Sequence, residues 1–335
     1  MNMTKTHLQQ QAVKIAKSSG FDLGKEIYRG NYYSPNRIRN IMFDGRYKNK
    51  AAILKIYNDA WLSDEPISQI TFNQVNTSKL LIAPEVYKYK IESARQGWLI
   101  MEKLPKEGAF FTQPIKNKQE FADLYLEYRL NFPQQPTRNL TLAENLRADE
   151  FHIFRISRWL ELATVQEAEK ALAGEKVLLN PKEFIPKFEK GLNIIHKEFS
   201  QRQMIWCHGH FKPHELFKMP NENLCYLTDF AHSKMYPEGY EFGFIIWADW
   251  LMSADWNLSY KKWKTGVDEW LKQLRPVAEK LKIKNFDNLI IASIIERVIG
   301  SILADICAGE RPRIEKEKRI KLLYHLLDDI FRDNQ

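Results

Sequence analysis

Three histidines and a glutamate lie within eight positions of the segment IWCHGHFKPHELF, residues 205–217. Imidazole and carboxylate groups at this density act as ligands of a metal ion or as general acids and bases. His208 and His210 are two residues apart, so a strand would place both rings on one side as zinc ligands, and His214 and Glu215 could complete the set.

The residues around the histidines do not match a known metal-binding pattern. The hydrolase pattern His-x-His-x-Asp-His is not present, because Lys212 and Pro213 occupy its last two positions. The loop around Pro213 also leaves the direction of the next histidine undetermined, and a spacing motif without structural context is a weak indication of a site. The cluster therefore predicts chemistry at this loop without deciding between metal binding and proton transfer.

Two charged residues elsewhere also need an explanation. Lys55 is the centre of the apolar run AILKIY, so it either reaches solvent from an edge strand or meets an anion. Asp229 follows the apolar run YLT, where its carboxylate could reach a ligand at a strand end or cap a turn.

Composition limits the class of protein. In a chain of 335 residues, 44% hydrophobic and 27% charged residues are typical of a soluble globular protein. The net charge of +8 favours anionic ligands such as phosphates, but without basic blocks interleaved with aromatics it does not favour nucleic acid. Three cysteines without a CxxC pair indicate a reducing compartment. With no signal peptide or membrane-spanning run recognised, the sequence predicts a cytoplasmic protein that does not enter a membrane.

The elements that must position these residues differ between the two parts of the chain. The first part alternates apolar and polar residues over 27–57, and Asp44-Gly45 between apolar runs predicts a hairpin turn. The other predicted elements of this part are a helix over 66–81 ended by Pro84, strands over 83–93 and 97–104, and a short N-terminal helix with Leu8, Val13 and Ile15 on one face.

The second part is mainly helical. Amphipathic helices are predicted over 118–131, 150–173, 185–199 and 290–306, with a last helix ending near Phe331. Residues 203–230 are the exception, with a short strand, a loop and a hairpin that turns at 220–223. The predicted fold class is α+β, with a small β-rich lobe over 1–102, a larger helical lobe over 103–335 and a cleft between them.

The order of these features is similar to that of small-molecule kinases with a protein-kinase-like fold. The sequence resembles the aminoglycoside phosphotransferase and choline kinase group, whose catalytic loop reads His-Gly-Asp, four residues and Asn, commonly with Pro in the middle. HGHFKPHE matches that loop at His208, Gly209 and Pro213, and the metal motif, an Asp followed by an aromatic residue, is matched at Asp229 and Phe230. The resemblance covers most of the chain.

The resemblance implies a nucleotide site with ATP and Mg²⁺ as cofactors. Lys55 would hold the α- and β-phosphates, and the loop GNYYSPNR, with Ser34 and Asn36, would cover the nucleotide. The residues that resemble the hinge, whose backbone meets adenine, are Met101, Glu102, Lys103 and Leu104.

The loop departs from the family pattern at two positions that matter for phosphoryl transfer. His210 replaces the catalytic Asp, and Glu215 replaces the metal-binding Asn. A neutral imidazole accepts a proton near neutral pH, so His210 could serve as the base. Glu215 could hold Mg²⁺ together with Asp229, because a carboxylate is a hard oxygen ligand. The resemblance gives His208 and Glu241 structural roles.

A further departure concerns the partner of Lys55. The helix expected to supply a glutamate offers Gln69 and Gln74, with Glu65 only near its start, so the sequence leaves this partner open.

Three functions therefore stay open. The protein is an active phosphotransferase with its base at His210 or another residue, a pseudokinase that binds nucleotide or a partner without efficient transfer, or a zinc enzyme or zinc-stabilised domain built on the histidine cluster. In the first, the acceptor is a small molecule with a hydroxyl, and it could be cationic because acidic and aromatic residues follow the metal motif. These residues are Glu238, Glu241, Asp249, Asp255, Trp247, Trp250 and Trp256. The alternative is that the tryptophans form core on a helix, and no oligomeric state is indicated.

Overall fold

The computed structural model describes residues 5–31, 38–58, 65–93, 95–132, 148–252, 256–307 and 311–333. Within this part of the chain the helices are α1 (Lys5–Ser19), α2 (Glu65–Val75), α3 (Lys118–Asn131), α4 (Ala148–Leu172), α5 (Pro181–Phe199), α6 (Tyr240–Ile246), α7 (Tyr260–Lys280), α8 (Phe286–Cys307) and α9 (Arg313–Asp333). The strands are β1 (Phe21–Asn31), β2 (Ile38–Tyr47), β3 (Lys50–Asn58), β4 (Leu81–Ile82), β5 (Val86–Ile91), β6 (Gln96–Glu102), β7 (Ala109–Phe110), β8 (Met204–Cys207), β9 (Leu216–Lys218), β10 (Cys225–Leu227) and β11 (Lys234–Pro237). Short 3₁₀ turns cover Pro213–Glu215 and Phe230–His232, and a π-helical turn over Trp247–Leu251 continues α6.

The first part of the chain forms an antiparallel sheet of five strands in the order β1-β2-β3-β6-β5. Helix α1 packs on this sheet, and Leu8 and Ile15 join its core. Val13 is 58% exposed, so its predicted place on the buried face of α1 is wrong. The sheet ends at Glu102, after which the chain enters the helical part.

The predicted turn at Asp44-Gly45 is also wrong. Both residues lie inside β2 and pair with β3, and the chain turns instead at Lys48 and Asn49, with φ of 47° and 67°. Two successive left-handed residues give a type I′ turn, whose twist matches that of the strands it joins. Gly45 serves close packing, since a Cβ there would lie 2.1 Å from the carbonyl oxygen of Asp22 on β1.

The second part is built around α8, which is buried along most of its length and packs against α4, α5, α6 and α9. Its core also takes in Phe72 of α2 and Leu81 of β4, so apolar packing joins the two parts of the chain. The predicted hairpin is present as β9 and β10, and β10 pairs in parallel with β4. The architecture is α+β with two lobes, as predicted.

Within the described ranges, no helix is both long enough and apolar enough to cross a lipid bilayer. The three cysteines, Cys207, Cys225 and Cys307, are buried free thiols.

Candidate active site

Lys55 lies on β3, the central strand of the five-stranded sheet, so the edge-strand alternative does not apply. Its ammonium is buried and meets two carboxylates, with Nζ 2.6 Å from Glu65 Oε2 and 2.9 Å from Asp229 Oδ1. Burial lowers the pKa of Lys55, but the charges of Asp229 and Glu65 outweigh that effect and raise it, so the ammonium stays protonated. One cation thus links a strand of the first lobe to a loop of the second.

Glu65, in the first turn of α2, is the partner of Lys55 that the sequence left open. Its carboxylate is fully buried and also accepts a 2.7 Å hydrogen bond from Tyr57 Oη, while Oε1 has no hydrogen-bond partner among the described residues. Burial raises the pKa of Glu65, and the Lys55 charge opposes this. Gln69 instead donates to the carbonyl of Pro84 at 2.6 Å, and Gln74 is exposed.

Asp229 follows β10 and the intervening Thr228, and takes a left-handed backbone conformation with φ 57° and ψ 58°. Asp and Asn tolerate this conformation better than other residues with a side chain. Its side chain is 31% exposed. Burial would raise the pKa of Asp229, but the charges of Lys55 and nearby groups hold it well below its usual range. The carboxylate is therefore ionised and accessible to a ligand.

The backbone N–H groups of His208 and Gly209 donate hydrogen bonds to buried side chains. The His208 N–H donates to Tyr128 Oη at 2.6 Å, and the Gly209 N–H donates to Glu241 Oε1 at 2.9 Å. Tyr125 and Tyr128 also donate to the Glu241 carboxylate, at 3.3 and 3.2 Å. Gly209 has φ +79°, and a Cβ there would lie 2.4 Å from the Tyr236 ring, so this turn requires glycine.

His208 is fully buried, and its Nε2 lies 2.8 Å from the carbonyl oxygen of Thr228, directly before Asp229. Its ring packs edge-on against Phe230 at 4.9 Å between ring centres. These contacts join the loop after β8 to the segment that carries Asp229. They agree with a structural role for His208, which stays a prediction.

We expect the contribution of His208 to the stability of the protein to be lost with acid between about pH 6.5 and pH 4. Burial lowers the pKa of His208 to about 4, so between these pH values the unfolded chain binds a proton that the folded protein does not. The contribution is present above pH 6.5 and lost toward pH 4, by up to about 3 kcal/mol. The measurement is the free energy of unfolding in urea between pH 4 and pH 8.

The matched variants are His208→Gln and His325→Gln, the second at an exposed position. His208→Gln should show a weaker pH dependence, and His325→Gln should keep that of the wild type. A residual slope is expected in His208→Gln because burial also lowers the pKa of His210 and His232. An unchanged slope in His208→Gln contradicts the assignment.

Glu215 ends the 3₁₀ turn after Pro213, and its Oε1 lies 2.9 Å from Lys212 Nζ. Its backbone carbonyl accepts the N–H of Thr228 at 2.9 Å, which ties it to the residue before Asp229. Burial, together with the negative charge of Asp229, raises the pKa of Glu215 to about 8, against the pull of the Lys212 ammonium. At neutral pH the Glu215 carboxyl is therefore largely protonated, and binding of Mg²⁺ there would release its proton.

His210 is clamped between two rings. It stacks on His232 with 3.5 Å between ring centres and on Phe244 with 4.8 Å. The ring is half-buried, and its Nδ1 has no hydrogen-bond partner in the part of the chain that the structure describes. Burial and the neighbouring charges of His232 and Lys212 hold the pKa of His210 well below its usual range. His232 lies outside the cluster of residues 205–217, and the sequence gave no indication of this stack.

The zinc interpretation finds no support in the described residues. No group of three or more His, Cys, Asp or Glu side chains there is arranged to hold a metal ion. His208 is committed to Thr228, His210 to its ring stack, and His214 is exposed.

The predicted hinge residues are the last two residues of β6 and the two that follow it, and all four are half-buried. The N–H of Glu102 donates to the carbonyl of Glu85 at 2.8 Å, and that of Lys103 to Ala51 at 3.3 Å. Met101 and Leu104 each pack against a different small apolar cluster. The loop residues Ser34 and Asn36 lie outside the described residues.

Several of the residues predicted to receive a cationic acceptor make contacts inside the protein instead. Asp249 is fully buried and accepts the Ile115 N–H at 2.7 Å and Trp270 Nε1 at 2.8 Å. The tryptophans pack against the helical core, as in the alternative interpretation; they are Trp247, Trp250 and Trp256. Asp255 lies outside the described residues.

Comparisons with known proteins bear on the fold. No protein-family profile and no curated protein sequence matches this chain significantly. Among solved structures, aminoglycoside phosphotransferase APH(4)-Ia is similar over 98% of this chain and 99% of its own, with a TM-score of 0.57 and 9% identity. Plasmodium vivax ethanolamine kinase is similar over 98% of this chain and 88% of its own, with a TM-score of 0.55 and 14% identity. Choline kinase LicA from Streptococcus pneumoniae is similar over 96% of this chain and 99% of its own, with a TM-score of 0.54 and 14% identity.

The two lobes and the buried lysine between two carboxylates thus define a protein with a two-lobed, kinase-like fold. The fold is that of the aminoglycoside phosphotransferase and choline kinase group, as the sequence resemblance predicted. Structures of APH(4)-Ia variants contain hygromycin B with ADP or with AMP-PNP, so nucleotide binds to this fold in that protein.

Proposed function

We propose that the protein is an ATP-dependent phosphotransferase that moves the γ-phosphate of Mg-ATP to a hydroxyl of a small molecule. The observation that carries this proposal is the cluster of Lys55, Glu65 and Asp229, which joins the lobes through one buried ammonium. In the proposal, residues 1–102 act as the nucleotide-binding lobe and 103–335 as the lobe that carries the catalytic loop.

The charges in the cluster suit a Mg-nucleotide. Lys55 would hold the α- and β-phosphates, with Glu65 fixing its position. Asp229 and Glu215 would bind Mg²⁺, which supplies a charge that neutralises the phosphate oxygens as transfer proceeds. Asp229 is ionised and 31% exposed, which fits a metal ligand. Phosphate oxygens and water would complete the coordination, because Mg²⁺ usually takes only one or two protein carboxylates.

In this proposal His210 is the general base of the transfer reaction. A neutral imidazole can accept the proton of the acceptor hydroxyl, and burial beside other positive groups keeps this ring neutral. A second candidate function rests on the same residue. Because His232 and Phe244 hold the ring on both faces, a nucleotide-binding pseudokinase without efficient transfer is the alternative. We also propose a cytoplasmic location, in line with three unpaired cysteines.

Mg-ATP should raise the thermal unfolding midpoint. At a nucleotide concentration about 100 times Kd, binding to the folded state alone adds about 2.7 kcal/mol to the free energy of unfolding. The measurement is thermal unfolding with Mg-ATP, with Mg²⁺ alone, and with ATP in EDTA as the control. No effect of Mg-ATP on the midpoint or on NMR signals near Lys55 contradicts both nucleotide-binding functions.

Transfer is measured separately, by ADP release with a panel of amino alcohols, aminoglycosides, sugars and their acidic derivatives. Phosphorylation of any member supports the phosphotransferase. Binding of Mg-ATP without transfer to any member supports the pseudokinase.

A further inference from the structure

The aromatic rings on α6 and its π-helical continuation already hold a cation. The guanidinium carbon of Arg297 lies 4.8 Å from the ring centre of Tyr240, 5.3 Å from that of Phe244 and 5.7 Å from that of Trp247. Its Nη2 donates to Tyr240 Oη and its Nε to Glu296, both at 2.6 Å. Arg297 is 4% exposed and Glu296 fully buried, so removing the guanidinium would break a buried ion pair.

These rings belong to the surroundings of the base position, because Phe244 stacks directly on His210. An acceptor whose hydroxyl approaches His210 must therefore bind close to them. A cationic acceptor would be recognised by ring faces and carboxylates, and here the ring faces contact Arg297.

The carboxylates expected to attract a cationic acceptor are also engaged. Glu241 lies behind the catalytic loop and accepts the Gly209 N–H, and Asp249 accepts two N–H groups inside the core. Glu238 lies 3.9 Å from Arg202. Each of these three acids therefore already has a partner other than an acceptor.

Lys212 places a positive charge near His210. This side chain is 25% exposed and follows His210 by two residues. Its charge lowers the pKa of His208, His210 and His232. The charge of Arg297 also lowers the pKa of His210, and the charges of Lys234 and Arg39 lower that of His232. The negative charge of Asp229 opposes them by raising the pKa of His232.

Binding of Mg²⁺ would increase this positive character. The ammonium of Lys212 lies 2.9 Å from Glu215 Oε1, and the proposed function assigns Glu215 to the metal. Once the carboxylate charge is shared with Mg²⁺, Lys212 is left as a partly exposed cation that needs an anion from elsewhere.

We propose that the acceptor is an anionic alcohol, one that carries a carboxylate or a phosphate near its hydroxyl, and that Lys212 binds this anionic group. The inference rests on the proposed function, since it places the acceptor at His210. It replaces the cationic acceptor that the acidic and aromatic residues suggested.

The first test uses alcohols that differ mainly in charge. Glycerate and glycerol 3-phosphate are compared with glycerol and choline, by saturation-transfer NMR and by ADP release, on protein with Mg-AMP-PNP or Mg-ATP. The anionic members should bind at least about tenfold more tightly than glycerol or choline, and added salt should reduce the difference. Equal or stronger binding of glycerol or choline, or no binding of either anion, overturns the inference.

The second test replaces Lys212. Lys212→Gln should lower the affinity for glycerate or glycerol 3-phosphate by about tenfold or more and change the Kd of Mg-AMP-PNP by less than about threefold. The matched control is Lys218→Gln, an exposed lysine on β9 paired with Glu120, which should change neither. A loss of Mg-AMP-PNP affinity with unchanged preference for the anions would assign Lys212 to the nucleotide and overturn the inference.

The same series without nucleotide separates this inference from the proposed function. A preference for anions that depends on Lys212, in a protein that binds no nucleotide, would remove the phosphotransferase and keep the anion site. Nucleotide binding without any preference for anions would remove only the anion site.

Discussion

Replacing Asp229 with asparagine should abolish the Mg²⁺-dependent part of nucleotide binding and leave the fold intact. The substitution removes one of the two carboxylates assigned to the metal, and loss of even an outer-sphere partner lowers metal affinity by about 10-fold to 100-fold. We therefore expect a loss of more than about 100-fold. The fold should survive because the side chain is 31% exposed and Lys55 keeps Glu65 as a partner.

Asparagine is preferred to alanine at this position for a structural reason. The backbone φ of 57° is left-handed, which Asn tolerates and Ala does not. The measurement is the Kd of a fluorescent ATP analogue titrated with Mg²⁺ and then with EDTA, together with the unfolding midpoint. Asp287→Asn, at an exposed residue paired with Arg275, is the matched control. A Mg²⁺-dependent affinity retained in Asp229→Asn would remove this residue from the metal site.

The sequence predicted elements reliably where one face is apolar and long. The helix over 118–131 and the hairpin after 216 are present because their patterns depend on neighbouring residues alone. The prediction of a turn at Asp44-Gly45 was wrong because the glycine is needed for close packing against Phe21 and Asp22 of β1, which lie far from it in the sequence. Local patterns do not distinguish a glycine that turns the chain from one that lies beneath another strand.

Local sequence patterns also cannot predict which residues meet in the candidate active site. Lys55 and Asp229 could be singled out because a charge next to an apolar run needs an explanation, yet their contact joins residues 174 apart in the chain. Glu65 lies ten residues from Lys55, but which face of α2 meets β3 is set by packing of the whole lobe. The stack of His210 on His232 was likewise beyond reach, because the backbone path between them contains a hairpin and a left-handed residue.

Replacing Lys55 with methionine should destabilise the protein by about 3–5 kcal/mol, the cost of removing one partner from a buried ion pair. Glu65 is the reason, since its carboxylate is fully buried and would keep only the hydrogen bond from Tyr57. The double variant Lys55→Met/Glu65→Gln should recover most of this loss, because the glutamine is neutral and still accepts from Tyr57. Both changes are measured as free energies of unfolding in urea at pH 7.5.

A pair at the start of the same strand gives the matched comparison. Lys50 Nζ lies 3.3 Å from Glu85 Oε2, with both side chains about 60% exposed. Lys50→Met should therefore cost less than about 1 kcal/mol, and adding Glu85→Gln should recover nothing measurable. Because Asp229 is partly exposed, water can solvate it when Lys55 is lost, which leaves Glu65 as the main source of the expected penalty. If Lys55→Met is no more destabilising than Lys50→Met, or if Glu65→Gln fails to rescue it, the buried Lys55–Glu65 pair does not contribute to stability as expected.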